Sequence, residues 1–239
     1  MGATVHEPAQ ATFREPVMQV GAREGHAIWS VVYNGTPNPL LELERRTVAP
    51  WLPDLAEQTF VDVACGTGRW AAYASRRGAH VFGADFCAPM LAASDESIHE
   101  RLAQADAVCL PFPDKLADIS ICAFAAGYMD SPSRTIGELS RITRRGGHVL
   151  ITDIHPKAVA LGWRRSFRCA DEVYEIENHA HPVAQYLAAA DCHGLKMVRI
   201  AEVPFGEAER TVFQQCGRSS VFDSMCLTPA VFALLWRRL

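Results

Sequence analysis

The chain has 239 residues, of which 49% are hydrophobic and 21% charged, and its formal net charge is −4. This length and composition predict one large α/β domain, or one domain with a small lid, whose core needs neither disulfides nor a structural metal. The acidic balance argues against a nucleic-acid partner, because such proteins draw most of their affinity from basic patches that neutralise phosphates.

The eight cysteines are spread along the chain without any CxxC pair. This pattern is typical of reduced cysteines in an intracellular protein and predicts no metal site. The N-terminal residues lack the charged and apolar regions of a signal peptide, and no apolar run reaches the roughly 20 residues that span a bilayer. We therefore expect a cytoplasmic protein without a membrane partner, either a monomer or a homodimer.

Strand and helix patterns alternate along most of the chain, after a stretch over residues 1–20 whose lack of periodicity predicts a loose tail or short cap. The predicted helices, the first of them capped by Asn38 with Pro39 at its first position, are 40–46, 69–77, 88–93, 133–144 and 183–192. Gly146 and Gly147 are expected to close the fourth helix. The predicted strands are 59–64, 80–84, 102–105, 118–125, 148–152, 195–203 and 230–236. This alternation predicts βαβ units and a parallel sheet covered on both faces.

The segment 61–70 combines a strand, a glycine turn and the start of a helix. Gly66 and Gly68 follow the strand, and the helix begins at Arg69. Glycines let a ligand approach the backbone closely, and the amides of a helix N-terminus favour negative charge. With Ala71 the spacing also satisfies the dinucleotide fingerprint GxGxxG/A, so a nicotinamide cofactor stays open at this point.

Acidic residues stand at or near the ends of three successive predicted strands. Asp85 ends the second strand, where a nicotinamide cofactor or another adenosine-containing cofactor would place its ribose hydroxyls. Asp62 lies four residues before Gly66, where a carboxylate is useful beside a cationic ligand but has no role in nicotinamide binding. Asp106 follows the third strand, where it can accept the exocyclic amine of adenine. We expect the three carboxylates to meet at one edge of the sheet.

Together these segments resemble the class I S-adenosylmethionine-dependent methyltransferases, in particular the small-molecule, methyltransferase type 11-like group. The segments that match, in the family's order, are 61–70, 81–91, 105–112 and 146–150. Their common order over roughly residues 40–155 is far more specific than any one of them. Ala64 departs from the family's pattern, which often has glycine at this position.

The resemblance implies S-adenosyl-L-methionine as the cofactor and S-adenosyl-L-homocysteine as its product. The implied cofactor-binding residues are Asp62, Ala64, Gly66, Gly68, Asp85, Phe86, Met90, Asp106 and Ala107. The two glycines would line the methionine portion, Asp85 would hold the ribose, and Asp106 the adenine amine. Phe86 and Met90 would pack on the adenine ring, with ordinary core packing as the alternative.

The methyl acceptor is expected over the C-terminal ends of the fourth and fifth strands. His155, two residues beyond the fifth strand, is the candidate general base for an OH or a weakly acidic NH. The alternative for His155 is a loop histidine anchored by Asp153. Tyr33 is the second catalytic candidate, because the family often uses an N-terminal tyrosine to close over the cofactor.

The candidate substrate-binding residues are Tyr128, Trp163, Arg164 and Arg165. The last three belong to a stretch, 155–180, that has no clear period and is rich in Trp, Arg and His. Such a stretch could form a lid whose aromatic rings stack on a planar acceptor and whose arginines bind a carboxylate or phosphate. A solvated surface run of charges is the alternative.

By resemblance, the fold is a doubly wound, seven-stranded, mostly parallel sheet of the Rossmann-like methyltransferase type, with the last strand antiparallel. Residues 1–50 would form an N-terminal cap and lid helices, and residues 51–239 the methyltransferase domain with a lid-like insertion at about 155–180. The predicted function is transfer of a methyl group from S-adenosylmethionine to an O, N or S atom of a small-molecule acceptor. The alternatives are an NAD-dependent oxidoreductase and a non-catalytic S-adenosylmethionine-binding protein.

Overall fold

The computed structural model describes residues 16–239, so the predictions for residues 1–15 lie outside the described residues. Within this range the strands are β1 (Val17–Val20), β2 (Thr59–Val63), β3 (His80–Asp85), β4 (Leu102–Gln104), β5 (Ala117–Ala123), β6 (Thr143–Ile154), β7 (Ser166–Cys169), β8 (Glu172–Ile176), β9 (Leu195–Val203) and β10 (Val231–Arg238). The helices are α1 (Ala22–Trp29), α2 (Pro39–Val48), α3 (Arg69–Ser75), α4 (Ala88–Ala92), α5 (Pro132–Ile142), α6 (Pro156–Ala160), α7 (Val183–Cys192), α8 (Arg210–Gln215) and α9 (Phe222–Met225).

The main sheet has seven strands in the order β4-β3-β2-β5-β6-β10-β9. Its strands run parallel except for β10, which pairs antiparallel with both β6 and β9. The predicted fold class, including the antiparallel last strand, is confirmed. The dinucleotide-binding order 3-2-1-4-5-6 has no antiparallel strand inserted near its edge.

The central strands are buried on both faces. Phe60 and Val61 on β2, and Ile119 and Ile121 on β5, are fully buried, and such apolar runs are typical of parallel strands covered on both sides. Residues of α5 and α7 pack on one face of the sheet, and residues of α2 and α3 pack on the other. This burial holds the carboxyl ends of the strands in fixed positions.

A second, three-stranded sheet has the order β1-β8-β7. β1 pairs in parallel with β8, from Val17 opposite Val173 to Val20 opposite Ile176. The prediction of a loose tail through residue 20 was therefore wrong for residues 17–20. The sequence did not reveal this sheet because its strands have four or five residues and few buried positions. The domain boundary at residue 50 stays a prediction.

The junction between α5 and β6 also differs from the prediction. The helix ends at Ile142 and the strand begins at once with Thr143, so Gly146 and Gly147 lie inside the strand and do not close the helix. A Cβ on Gly147 would lie 2.7 Å from the carbonyl oxygen of Asp118. Glycine at this position therefore permits a close approach of the neighbouring chain segment.

The predicted N-terminus of α2 is confirmed. Asn38 caps α2, since its Oδ1 accepts a hydrogen bond from the Leu40 amide at 3.0 Å. All eight cysteines, which fall within the described residues, are free thiols. No helix in residues 16–239 is long and apolar enough to cross a membrane. The same residues contain no cluster of three or more His, Cys, Asp or Glu side chains placed to hold a metal ion.

Candidate functional site

A cavity of about 1000 Å³ opens at the carboxyl edge of the main sheet. This volume is at the upper end of the roughly 300–1,000 Å³ typical of ligand pockets. Its loop side is lined by Asp62 of β2, by Ala64 and Gly66 just after β2, by Asp85 at the end of β3 and by Asp106 just after β4. Its insertion side is lined by Phe124, Tyr128, Arg164 and Arg165.

The glycine turn gives the loop side a bare stretch of backbone. Gly66 has φ +56°, and a Cβ built on it would meet no atom within 4 Å, because it would point into open space. Gly68 has φ +78°, but its Cβ would collide with the Ile98 side chain. Gly66 therefore admits a ligand, whereas Gly68 allows α3 to pack on the core and does not line the cavity.

Asp85 links two parts of the loop side. Its Oδ2 accepts the Gly66 amide at 2.8 Å, and its Oδ1 accepts the Cys87 amide at 2.8 Å. The carboxylate is 6% exposed, and burial raises its pKa. The two oxygens have about four lone-pair sites between them, so the fixed carboxylate can still accept a hydroxyl group from a ligand.

Asp62 lies beneath the turn. Its Oδ2 accepts the Ala71 amide in the first turn of α3 at 3.0 Å. Burial raises the pKa of Asp62 to about 7, so its ionised form lacks a full counter-charge. This carboxylate both caps the helix and lines the cavity, and a cation placed there would stabilise its ionised form.

The remaining predicted cofactor residues border the same side. Asp106 is exposed, lines the cavity next to the buried Ala107, and accepts the Val108 amide at 3.1 Å. Phe86 and Met90 also line the cavity, although Met90 is 1% exposed and so belongs to the core as well. The structure thus brings together every predicted cofactor residue except Gly68 along the cavity wall.

Two cavity residues other than glycine adopt the left-handed backbone conformation. Ala64 has φ +53°, and Phe124, just beyond the end of β5, has φ +56°. Such conformations cost of order 1–3 kcal/mol and concentrate at functional sites. The Phe124 carbonyl accepts a hydrogen bond from Arg165 at 2.9 Å, which helps to hold the strained turn in place.

Tyr33 lies on the cavity wall, near Arg69 at the start of α3. Burial raises the pKa of Tyr33, so its phenol is protonated at neutral pH. Arg69 is held by Glu44 at 2.7 Å, and the fully buried Glu44 also accepts hydrogen bonds from Trp70 Nε1 and the Thr152 hydroxyl. This network fixes the Arg69 guanidinium beside the glycine turn.

On the insertion side, Arg165 and Asp153 form a buried ion pair. The Asp153 carboxylate also accepts the Gly127 and Ile154 amides, and the Arg165 guanidinium lies 4.5 Å from the centre of the Tyr128 ring. Burial raises the pKa of the Tyr128 phenol. Arg165 therefore builds the wall of the cavity and carries no free charge toward its interior.

Two of the predicted residues, Trp163 and His155, lie outside the cavity wall, and a third, Arg164, lies on it but with its guanidinium already engaged. Trp163 stacks on Phe205 at 5.8 Å and is not part of the cavity wall. His155 caps α6, because its Nδ1 accepts the Lys157 amide at 3.1 Å, and the carboxylate 3.3 Å from its Nε2 is that of Glu202. Arg164 does line the cavity, but it is exposed and donates to the Val159 carbonyl.

Sequence reasoning missed His26, Arg69 and Phe124, which all line the cavity. Arg69 directly follows Gly68 at the start of α3, so the sequence could have predicted that it lies beside the glycine turn. Phe124 lies at the end of a predicted strand, but its strained backbone has no sequence signature. Nothing in the local sequence distinguishes His26, because α1 reaches the cavity only through long-range packing.

Arginines outnumber acidic residues along the cavity wall. The exposed arginines that line the cavity are Arg23, Arg134, Arg164, Arg168 and Arg218. The acidic residues on the wall are Asp62, Asp85, Asp106 and Asp130, of which the first three belong to the loop side. Arg23 lies at the loop side, where it donates to the Phe86 carbonyl, whereas Arg164 and Arg168 belong to the stretch 155–180 on the insertion side.

Comparisons with known proteins agree with this geometry. Residues 61–151 match the family Methyltransf_11, a methyltransferase domain. The chain is 34% identical over 119 residues to a demethylmenaquinone methyltransferase of Thermus thermophilus, covering 47% of this chain and 54% of the relative. It is also 34% identical over 109 residues to a malonyl-[acyl-carrier protein] O-methyltransferase of Pectobacterium atrosepticum, covering 44% of this chain and 43% of the relative. The match thus spans about half the length of these curated relatives.

A solved structure extends the likeness over more of the fold. An S-adenosylmethionine-dependent methyltransferase from Mesorhizobium loti superposes with a TM-score of 0.65 and 20% identity, covering 82% of this chain and 97% of that one. At this identity the superposition shows the fold alone.

Proposed function

Because the chain carries a methyltransferase domain in the class I S-adenosylmethionine-dependent fold, we propose that it binds S-adenosylmethionine and transfers its methyl group to an O, N or S atom of a small molecule. The observation that carries the proposal is the meeting of Asp62, Asp85 and Asp106 around the bare backbone of Gly66. The two curated relatives act on different acceptors by their names, so the acceptor must be inferred from this cavity.

The loop side fits the cofactor residue by residue. Asp85 would accept the ribose hydroxyls, and the exposed Asp106 the adenine amine. Asp62, whose ionised form lacks a full counter-charge, would lie toward the cationic part of the cofactor. Arg69, fixed by Glu44, would bind the methionine carboxylate. When bound, the cofactor supplies an electrophilic methyl group with a neutral leaving group, so the protein mainly has to orient the acceptor.

The insertion side supplies the place for that acceptor. The cavity volume of about 1000 Å³ is at the upper end of the usual range of ligand pockets. It therefore leaves room for an acceptor beside the nucleoside. Exposed arginines such as Arg134 and Arg218 favour an acceptor with a carboxylate or phosphate, and Tyr128 offers a ring surface. Tyr33, whose phenol stays protonated, would position groups as a hydrogen-bond donor. His155 caps α6 and does not line the cavity. We therefore assign it no role as a general base.

The direct test is methyl transfer. The purified protein is incubated with S-adenosylmethionine carrying a ¹³C methyl group and with fractionated metabolite extracts, and products are detected by their labelled mass gain. We expect labelled product chiefly in the acidic fractions, and far less of it with a variant in which Asp85→Ala removes the ribose contact. Label in no fraction, with intact cofactor binding, would support the non-catalytic alternative.

The oxidoreductase alternative has less support. The antiparallel β10 lies between β6 and β9, unlike the dinucleotide-binding order, and Asp62 has no function beside a nicotinamide. The non-catalytic alternative predicts a blocked acceptor pocket, whereas the insertion side is open.

A further inference from the structure

His26 of α1 lines the cavity and has no role in the function described so far. Its ring meets the Tyr128 ring edge-on at 4.6 Å, and it lies 6.2 Å from the Phe86 ring. The helix that carries it is attached to the loop side, because Arg23 of the same helix donates to the Phe86 carbonyl at 3.4 Å. His26 is therefore positioned by contacts on both sides of the cavity.

The hydrogen bonding of His26 determines where its proton lies. Nδ1 is 2.7 Å from the Ala22 carbonyl oxygen, and a carbonyl can only accept, so Nδ1 carries the proton. Burial lowers the pKa of His26, which keeps the ring neutral near pH 7. Nε2 then presents a lone pair, and no donor among residues 16–239 contacts it.

Asp85 is the neighbouring acceptor. Both side chains line the cavity; the Asp85 carboxylate acts to raise the pKa of His26 and Arg165 acts to lower it, but burial is the largest influence and lowers that pKa. Both oxygens of Asp85 already accept one loop amide each, and a neutral His26 offers no proton through Nε2. A ligand that satisfies both side chains must therefore donate at least two hydrogen bonds. Two adjacent hydroxyl groups, as on a ribose, meet this requirement.

We propose that Nε2 of His26 accepts a hydrogen bond from one ribose hydroxyl of the bound nucleoside while Asp85 accepts from the other, an inference that rests on the proposed function. α1 then borders the nucleoside, and His26 and Asp85 each bind one of its two adjacent hydroxyl groups. His26 becomes a cofactor-binding residue supplied by the N-terminal segment and not by the matched domain at residues 61–151.

The test uses S-adenosylhomocysteine as the probe. Its affinity is measured by calorimetry for the wild type, for His26→Phe, which keeps a ring but removes the lone pair, and for His26→Gln, which restores an acceptor. His80→Phe, an exposed histidine with its side chain 62% exposed, is the matched control. In parallel, ¹⁵N-histidine NMR follows the Nε2 signal of the wild-type protein on addition of the probe.

We expect His26→Phe to weaken binding about 3- to 10-fold, as for one neutral hydrogen bond, with a smaller loss for His26→Gln and none for His80→Phe. The Nε2 signal of the wild type should move in the direction of an accepted hydrogen bond. An unchanged Nε2 signal, or wild-type affinity in His26→Phe, overturns the inference alone. If His26→Phe does not fold, the NMR result and His26→Gln decide. Absence of binding by the wild type overturns the proposed function as well.

Discussion

The loop side and the insertion side of the cavity are built by different means. On the loop side, Asp62, Gly66 and Asp85 lie in or just beyond neighbouring strands, and each carboxylate is held by backbone amides nearby. On the insertion side, Arg165 is held by Asp153, a residue of β6, and by the carbonyl of Phe124. The loop side is organised by backbone amides at the ends of paired strands, and the insertion side by side-chain contacts between the segment before β7 and the ends of β5 and β6.

Because of this difference, the shape of the acceptor pocket can vary while the cofactor contacts stay the same. A nucleoside cofactor needs the same few contacts at the ends of parallel strands, so local sequence spacing is sufficient to build them. An acceptor pocket assembled from α1, β7 and the end of β5 can change shape without disturbing those contacts. The predictions below test this division, in order of decreasing expected effect.

The insertion side should depend most strongly on its buried ion pair. Arg165→Met leaves the 3%-exposed Asp153 side chain without its partner, and breaking a buried pair costs about 3–5 kcal/mol. We expect the free energy of unfolding in urea to fall by that amount. Arg145→Met, at an exposed position, is the control and should change it little. A loss in Arg165→Met no larger than in this control would show that the pair does not hold the insertion side together.

The buried carboxyl group of Asp62, on the loop side, should make the stability of the protein depend on pH. The pKa of Asp62 rises from its ordinary value of 3.8 to about 7 on folding, so the folded protein binds the proton more tightly than the unfolded chain. The stabilisation is complete below about pH 4 and is lost as the pH rises through 7, up to about 4 kcal/mol. In Asp62→Asn this loss should be absent when unfolding is measured from pH 4.5 to 8. Parallel pH profiles for the two proteins would contradict the assignment.

Ligand binding should depend on Asp85 more than on any residue of the insertion side. Asp85→Ala removes a carboxylate that would accept ribose hydroxyls, and hydrogen bonds to charged groups contribute about 1.5–3 kcal/mol each. We expect the affinity for S-adenosylhomocysteine, measured by calorimetry, to fall roughly 100-fold. Asp191→Ala, exposed on α7, should bind as the wild type does. A loss below fivefold in Asp85→Ala would place the nucleoside elsewhere.

The smallest effect concerns the strained turn of the loop side. Ala64 has φ +53°, a conformation that costs an L-residue about 1–2 kcal/mol. Glycine adopts it without strain, but its greater loss of backbone entropy on folding costs about 0.5–1 kcal/mol relative to alanine. Ala64→Gly should therefore raise the free energy of unfolding by about 0.5–1 kcal/mol. Ala188→Gly, exposed inside α7, should lower it by a similar amount. A decrease in both variants would show that Ala64 is not strained.

The same division explains what the sequence could predict. The resemblance to class I methyltransferases is confirmed, and Asp85 and Asp106 lie on the cavity wall as expected, because strand ends and glycine turns are local features. Gly68 was expected to line the methionine portion of the cofactor, but it packs against Ile98 and does not line the cavity, because that packing is a tertiary contact.

The insertion side was predicted less well for a physical reason. The pairing of β1 with β8 joins residues about 150 positions apart in the chain, and short, half-exposed strands carry no clear period. His26 lies on the cavity wall only because of that packing. Trp163 lies outside the wall because its ring stacks on Phe205. No pattern near either residue in the sequence encodes these partners.

The central claim is that the loop side binds S-adenosylmethionine. Calorimetry on the purified, cofactor-free chain with S-adenosylmethionine, S-adenosylhomocysteine and NAD⁺ tests it most directly. Saturable binding of the first two at a single site, and none of NAD⁺, is the result expected. Binding of NAD⁺ in their place, or no heat with either sulfur nucleoside, would contradict it.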